Sequence, residues 1–226
     1  MAHVEFSAGA RGVAAMLQRA MRFDAASLAR LRQRGEFVDV FVHTPFGVLA
    51  SRSAHGAVGD GAVAGGSGSA GGVVVRAADL AALLGTAGDV GPADAVAGEA
   101  PEAQALWPGV LPPATGFVLL DQVPAAVVAD LAGKGKELVR QFSTSVGPPA
   151  SLLEQEVLRV RGSEVEVGVP MRMIFACVNL GFVPGLGSSA DADVPRHLRV
   201  SALDRWVRLD AAYGTVWLMR GGVNLL

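Results

Sequence analysis

Cysteine is nearly absent from this chain: Cys177 is the single one in 226 residues. One thiol cannot close an internal disulfide, so the composition does not point to an oxidising compartment. Cys177 sits among Phe175, Ala176 and Val178, a setting that favours a small buried core residue over a nucleophile or redox thiol. Charge is scarce too, at 18% of residues, with a formal net charge of −2 and a pI near 6.1. The basic excess of a general nucleic-acid binder is missing. The four histidines, His3, His43, His55 and His197, show neither HxxxH nor HExxH spacing. With one cysteine they make no zinc pattern, so no metal and no cofactor is expected. No GxSxG elbow offers a serine nucleophile.

Long apolar runs are lacking as well. The longest charge-free stretch, 173–190, is interrupted by Asn179, Gly181, Pro184, Gly185, Gly187 and two serines, which leaves too little to span a bilayer. Glu5 precedes any apolar run at the N-terminus, and no basic region leads into one, so no secretory leader is read. The expectation is a cytoplasmic protein without membrane contact.

Hydrophobic residues are plentiful, at 51% with mean hydropathy +0.40, although much of this is alanine, which buries little area. The length suits one large domain or two small ones. The clearest element is 164–183. Val165, Val167 and Val169 alternate with Glu164, Glu166 and Gly168, Pro170 breaks the pattern, and an apolar run continues to Phe182. This predicts a strand turning into a buried helix.

Before it, Val13, Met16, Leu17, Ala20 and Met21 fall at helical spacing over 9–21. Asp24 can cap a second helix through Leu28 and Leu31, ended by Gly35. A strand over 37–43 turns at Thr44-Pro45-Phe46-Gly47 into 48–51 as a hairpin. Residues 56–72 are low-complexity and read as a long loop or a disordered excursion. A short strand (73–76) and helix (77–84) follow.

The stretch 85–106 is rich in Ala, Gly and Pro, and carries Asp89, Asp94, Glu99 and Glu102 without a base. It reads as an acidic linker between an N-terminal half, 1–84, and a C-terminal half, 107–226. Residues 107–117 are extended and proline-fixed. Pro124 opens a helix to about Phe142, whose middle Gly133 and Gly135 weaken by roughly 1 kcal/mol each. A helix over 151–156, a strand over 157–161, a loop over 185–195, a strand over 197–201 and a hairpin of 206–209 with 216–219 complete the chain. The whole reads as α+β, antiparallel strands and hairpins packed with helices. At an offset of 125, Val40/Val165, Val42/Val167, Pro45/Pro170, Val75/Val200, Ala77/Ala202, Asp79/Asp204 and Leu84/Leu209 are identical, as two similar halves would give.

Several chemical motifs dissolve in context. Residues 66–71 are a literal GxGxxG and 185–190 its GxGxxA variant, but neither runs from a strand into a helix, as a dinucleotide site needs. Gly133-Lys134-Gly135-Lys136 lies mid-helix without GK[ST]. Glu164 and Glu166 share the face opposite the valines, which exposes them to solvent rather than a pocket. Arg172 is the only charge in its apolar helix, and with Asn179 it is the leading polar candidate. His197 stands between Arg196 and Arg199, with Arg205 and Arg208 nearby. Such arginines can hold an anion, or pair with Asp204 and Asp210.

Three functions compete. A non-enzymatic, self-associating interaction protein would use Trp107, Phe117, Trp206, Tyr213 and Trp217 as exposed anchors, and have a second copy or another protein as partner. This reading leads, because catalytic patterns are missing. An enzyme or small-ligand binder would take an anion near Arg172, Asn179, Arg199 and Arg205. A winged-helix nucleic-acid module would put the helix of 170–182 in a groove, but Arg172 is its only cation, so nucleic acid is not expected.

LPPATGF at 111–117, followed by a helix, and LDAAYGTVWL at 209–218 resemble features of uncharacterised proteins of actinobacterial genomes. The resemblance covers 111–218 and implies no activity and no functional residues.

Overall fold

A computed structural model describes residues 1–59, 72–85, 95–103, 107–142, 148–162, 165–184 and 194–221. The chain forms two compact units. Unit 1 comprises Met1–Pro45 and Leu49–Ala114; unit 2 comprises Phe46–Val48 and Thr115–Leu226.

Unit 1 runs β1 (Ala2–Ala8), α1 (Ala10–Met21), β2 (Leu28–Arg34), β3 (Phe37–His43), β4 (Leu49–Val58), β5 (Val73–Arg76), α2 (Ala77–Gly85) and β6 (Val96–Ala100). Its strands pair antiparallel: β5 with β2, β2 with β3, β3 with β4, β4 with β1, and β1 with β6. α1 packs on α2 and buries Val13, Met16, Leu17 and Ala20. β6 lies within the stretch that composition marks as an acidic linker.

The helix expected from Asp24 to Gly35 is instead the strand β2. Ala29 and Leu31 are buried in alternation along it, a period of two that the small alanine hides beside the helix-like pair Leu28 and Leu31. Asp24 serves a local turn, its carboxylate accepting the Ala26 N–H at 2.9 Å. Gly35, at φ 61°, turns a two-residue hairpin between Arg34 and Phe37 rather than ending a helix.

Unit 2 runs β7 (Val118–Pro124), α3 (Ala125–Phe142), α4 (Ala150–Glu154), β8 (Glu156–Gly162), β9 (Val165–Pro170), α5 (Met171–Asn179), β10 (His197–Leu203), β11 (Trp206–Ala211) and β12 (Gly214–Met219). A sheet in the order β7, β10, β11, β12 is antiparallel throughout, and β8 and β9 form a separate hairpin. α5 is the core helix, burying Met171, Met173, Ile174, Phe175, Ala176 and Cys177. α3 packs against it, and Gly135 makes this approach feasible. A Cβ there would fall 2.8 Å from the Phe175 ring, so the residue that costs helix propensity is needed for packing.

The two halves are similar in element order. A strand-helix-strand-strand-strand module starts at 2, 10, 28, 37 and 49 in unit 1, and at 165, 171, 197, 206 and 214 in unit 2. Both modules hold a two-residue hairpin turn between their second and third strands. Each unit adds two strands joined through helix, β5-α2-β6 after the module in unit 1 and β7-α3-α4-β8 before it in unit 2. The identities at offset 125 do not follow this recurrence, because they set Asp79 and Leu84 of α2 against a turn and a strand.

Candidate interaction surface

At one end of unit 2, Val118 and Leu120 of β7, Gly162 of β8, Val165 of β9 and Ala202 and Leu203 of β10 line an apolar groove of 760 Å³, together with Asp204 and Arg220. Val118 is 55% exposed and Val165 43%; Leu119 of β7 and Met219 of β12 are exposed as well but do not line the groove. Val118 and Val165 therefore leave apolar surface open at the mouth of the groove.

Local chemistry explains the groove. Leu119 pairs with Ser201 and Asp121 with Val200, so Leu120 is the extra residue of a β-bulge, a device that re-aims a side chain. Gly162 lets the end of β8 come against that bulge: a Cβ there would lie 2.7 Å from the Leu120 Cα and carbonyl oxygen. Val167 and Val169 of the alternating stretch are buried as expected, whereas Val165, at the hairpin end, opens onto the groove.

The β10–β11 turn forms the polar side. Asp204 adopts φ 47°, a left-handed conformation that aspartate tolerates better than most side chains. The Arg220 N–H donates to the Arg205 carbonyl at 2.7 Å, and its Nη2 donates to the Asp204 carbonyl at 2.6 Å, fixing the end of β12 to the turn. The Arg220 Nε is buried without a hydrogen-bond partner. The Arg205 Nη2 lies 3.0 Å from the Met219 sulfur.

The residues singled out as anchors behave differently from one another. Trp206 and Trp217 are 8% and 7% exposed, so they are packed in unit 2 and do not project. Trp217 meets Phe117 edge-on at 5.3 Å, and the Arg208 guanidinium lies 4.8 Å from the Phe117 ring centre. Tyr213, half-buried, donates its backbone N–H to the Phe182 carbonyl at 3.1 Å. Trp107 belongs to unit 1, where it lies half-buried with its ring 4.6 Å from His43. The His43 Nε2 donates to the Pro108 carbonyl at 2.9 Å. Burial lowers the His43 pKa, and that hydrogen bond opposes the shift.

The proposed anion ligands each serve another partner. Arg172 pairs with Glu154 at 3.2 Å, an exposed acid rather than a buried one. The Asn179 side chain donates to the Phe175 carbonyl at 2.8 Å, closing the last turn of α5. Arg199 and Arg208 both approach Asp210, at 3.7 and 3.0 Å. Glu166 is bound by Arg161 and Arg159 across the β8–β9 hairpin, while Glu164 and both glycine-rich motifs lie outside the described residues. Lys134 of the mid-helix GKGK pairs with Asp130 at 2.9 Å. The α5 helix is buried, so it cannot be the groove helix of a winged-helix module. Among the described residues no group of acids, histidines and cysteine is placed to hold a metal, and no helix is long and apolar enough to cross a membrane.

Cys177 is fully buried, and burial pushes its thiol pKa far up. The native protein is expected to show no reactive thiol in a disulfide-exchange titration, and one after denaturation in guanidinium. Rapid modification of the native chain would contradict this packing.

Both halves match domain families, and each family is of unknown function. Residues 2–108 match the domain of unknown function DUF8010, and residues 112–223 match DUF8185. No curated protein sequence matches the chain. The structure is similar to bacterial sliding clamps. The clamp (DNA polymerase III subunit beta) of Bartonella birtlesii, bound to griselimycin, matches over 99% of this chain and 66% of its own at TM-score 0.52 and 11% identity. The DNA polymerase sliding clamp of Bacillus subtilis matches over 99% and 66% at TM-score 0.51 and 11% identity. The Helicobacter pylori beta clamp, bound to a DNA ligase peptide, matches over 96% and 66% at TM-score 0.50 and 10% identity. The chain spans 66% of the length of these clamps. At such identities the likeness concerns the fold.

Sequence reasoning missed Val118, Leu120 and Gly162. The alternation over 165–169 signals one wall of the groove, but a bulge leaves no periodic trace.

Proposed function

We propose that the protein is a non-enzymatic interaction protein that associates with copies of itself, and that the apolar groove of unit 2 is its docking surface. The exposure of Val118 and Val165 in a groove that Ala202 and Leu203 also line carries this reading. Water-exposed valines gain roughly 25 cal/mol for each Å² that a partner covers. The likeness to sliding clamps supports it further, since one of those clamps is described with a ligase peptide bound. A net charge of −2 favours a protein partner over nucleic acid. The anion-binding alternative draws less support, because Arg172 and Arg199 already meet Glu154 and Asp210.

Size-exclusion chromatography with light scattering tests the proposal. The native chain should run above monomer mass at micromolar concentration, and Val118→Asp should shift it towards monomer with an unchanged thermal midpoint. Association that ignores Val118→Asp would remove the groove from the account.

A further inference from the structure

We infer that Val223, Leu225 and Leu226 fold back into the apolar groove of unit 2 in their own chain, so that anything docking there has to displace them. This adds a regulatory element to the proposed docking surface and rests on that reading. Arg220 lines the groove, and it is fixed in place. Its N–H donates to the Arg205 carbonyl and its Nη2 to the Asp204 carbonyl. The chain therefore leaves β12 at the groove's polar side, from an anchored point. Gly221 follows, exposed, with nothing within 4 Å of where a Cβ would stand. Gly222-Val223-Asn224-Leu225-Leu226 comes next in the sequence, outside the described residues.

The sequence after Arg220 suits the groove in several ways. Glycine enters positive and negative φ alike, so the pair Gly221-Gly222 lets the chain reverse direction at once. Val223, Leu225 and Leu226 are large and apolar, and 222–226 carries no charged side chain. That matches a lining of Val118, Leu120, Val165, Ala202 and Leu203, and contact between the two removes both surfaces from water. The reach is sufficient as well. An extended stretch covers about 3.4 Å per residue, so five residues can cross a groove of 760 Å³. Tethering favours the chain's own groove over a neighbour's. A short flexible link holds the tail at an effective concentration of about a millimolar, far above that of a second copy in dilute solution. A docking surface covered in this way binds its partner more weakly, in proportion to the fraction of time the tail is out.

Cysteine pairs in the full chain test the inference. Cys177 is buried, so only engineered thiols react. Val165→Cys is combined with Leu225→Cys and oxidised glutathione is added. The two protein thiols join as a disulfide, and their hydrogens and electrons reduce the glutathione disulfide to two thiols. This pair should close within one chain, at a rate that does not depend on protein concentration. Val127→Cys with Leu225→Cys is the comparison, because Val127 is exposed on α3 and does not line the groove. It should close about tenfold more slowly or not at all, since a disulfide needs its two Cα atoms within about 7 Å. Truncation after Gly221 supplies the second measurement. For a tail that covers the groove about nine-tenths of the time, it should tighten self-association about tenfold in sedimentation velocity. Disulfides that form only between chains, or equal rates for the two pairs, would overturn the inference and spare the docking reading. A Val165 pair that closes within the chain, with association unchanged by truncation, would uphold the tail's place in the groove and fail the docking reading.

Discussion

Replacing Gly56 with alanine is expected to destabilise unit 1 by about 3 kcal/mol, at the upper end of what overpacking usually costs. Gly56 lies on β4 opposite Phe6 of β1, next to an irregularity where the register shifts before Ala8. A Cβ there would meet the Glu5 carbonyl group and come within 2.9 Å of the Phe6 Cα. These are backbone atoms, so no side-chain rotation relieves the contact. Nor can the strand retreat, because its position is held from the other side. The Gly56 N–H donates to the Glu36 carbonyl at 2.9 Å, and its carbonyl accepts from the Gln33 amide at 3.1 Å. Alanine must therefore part β1 from β4, and β6 hangs on β1. In thermal unfolding followed by far-UV circular dichroism, a shift of roughly 10 °C is expected for a unit of this size. A shift of a degree or less would mean that β1 does not pair with β4 at Gly56.

The second large effect concerns Asp39. Its side chain is 7% exposed on β3, with Arg32 at 3.2 Å and Arg34 at 2.9 Å. The Ser53 hydroxyl donates to it at 2.6 Å. Burial by itself raises this carboxyl's pKa. Hydrogen bonds from Arg34, Ser53 and Arg32 and the charge of Arg34 outweigh burial, so the group sits below its ordinary 3.8. Asp39→Asn keeps the shape and removes the charge that two arginines share, one of which is itself largely buried. Losing one partner of a buried ion pair costs about 3 kcal/mol or more. The sign with pH follows from the lowered pKa. The folded state releases the proton more readily than the unfolded state, so the stabilisation is complete above pH 3.8 and fades as pH falls below it. Urea unfolding should therefore show a large gap between the native protein and Asp39→Asn at pH 7, and a smaller one near pH 3. A gap of constant size would assign the effect to shape rather than charge.

Much of the fold follows from the residues themselves. The turn at Thr44–Gly47, the Pro124 entry into α3 and the strand-to-helix switch at Pro170 rest on local chemistry, and the structure has all three. β2 was hidden because Ala29 supplies one of its two buried positions, and alanine barely registers in a hydrophobic pattern. The halves are similar, yet their likeness resides in element order rather than in identities at offset 125. Loops of unequal length shift each element by a different amount. The candidate surface was less legible. A tryptophan's size alone does not say whether it anchors a partner or fills a core. Trp217 packs with Arg208, its partner across the β11–β12 pair, and with Phe117, which lies just before β7. The groove depends on a bulge at Leu120 and a close approach at Gly162, both products of tertiary contact.

The central proposal is that this chain works by associating with copies of itself. Native mass spectrometry at low micromolar concentration tests it most directly. The account predicts a complex of whole copies without added mass. A monomer carrying a co-purified small molecule would contradict it and identify a ligand-binding protein instead.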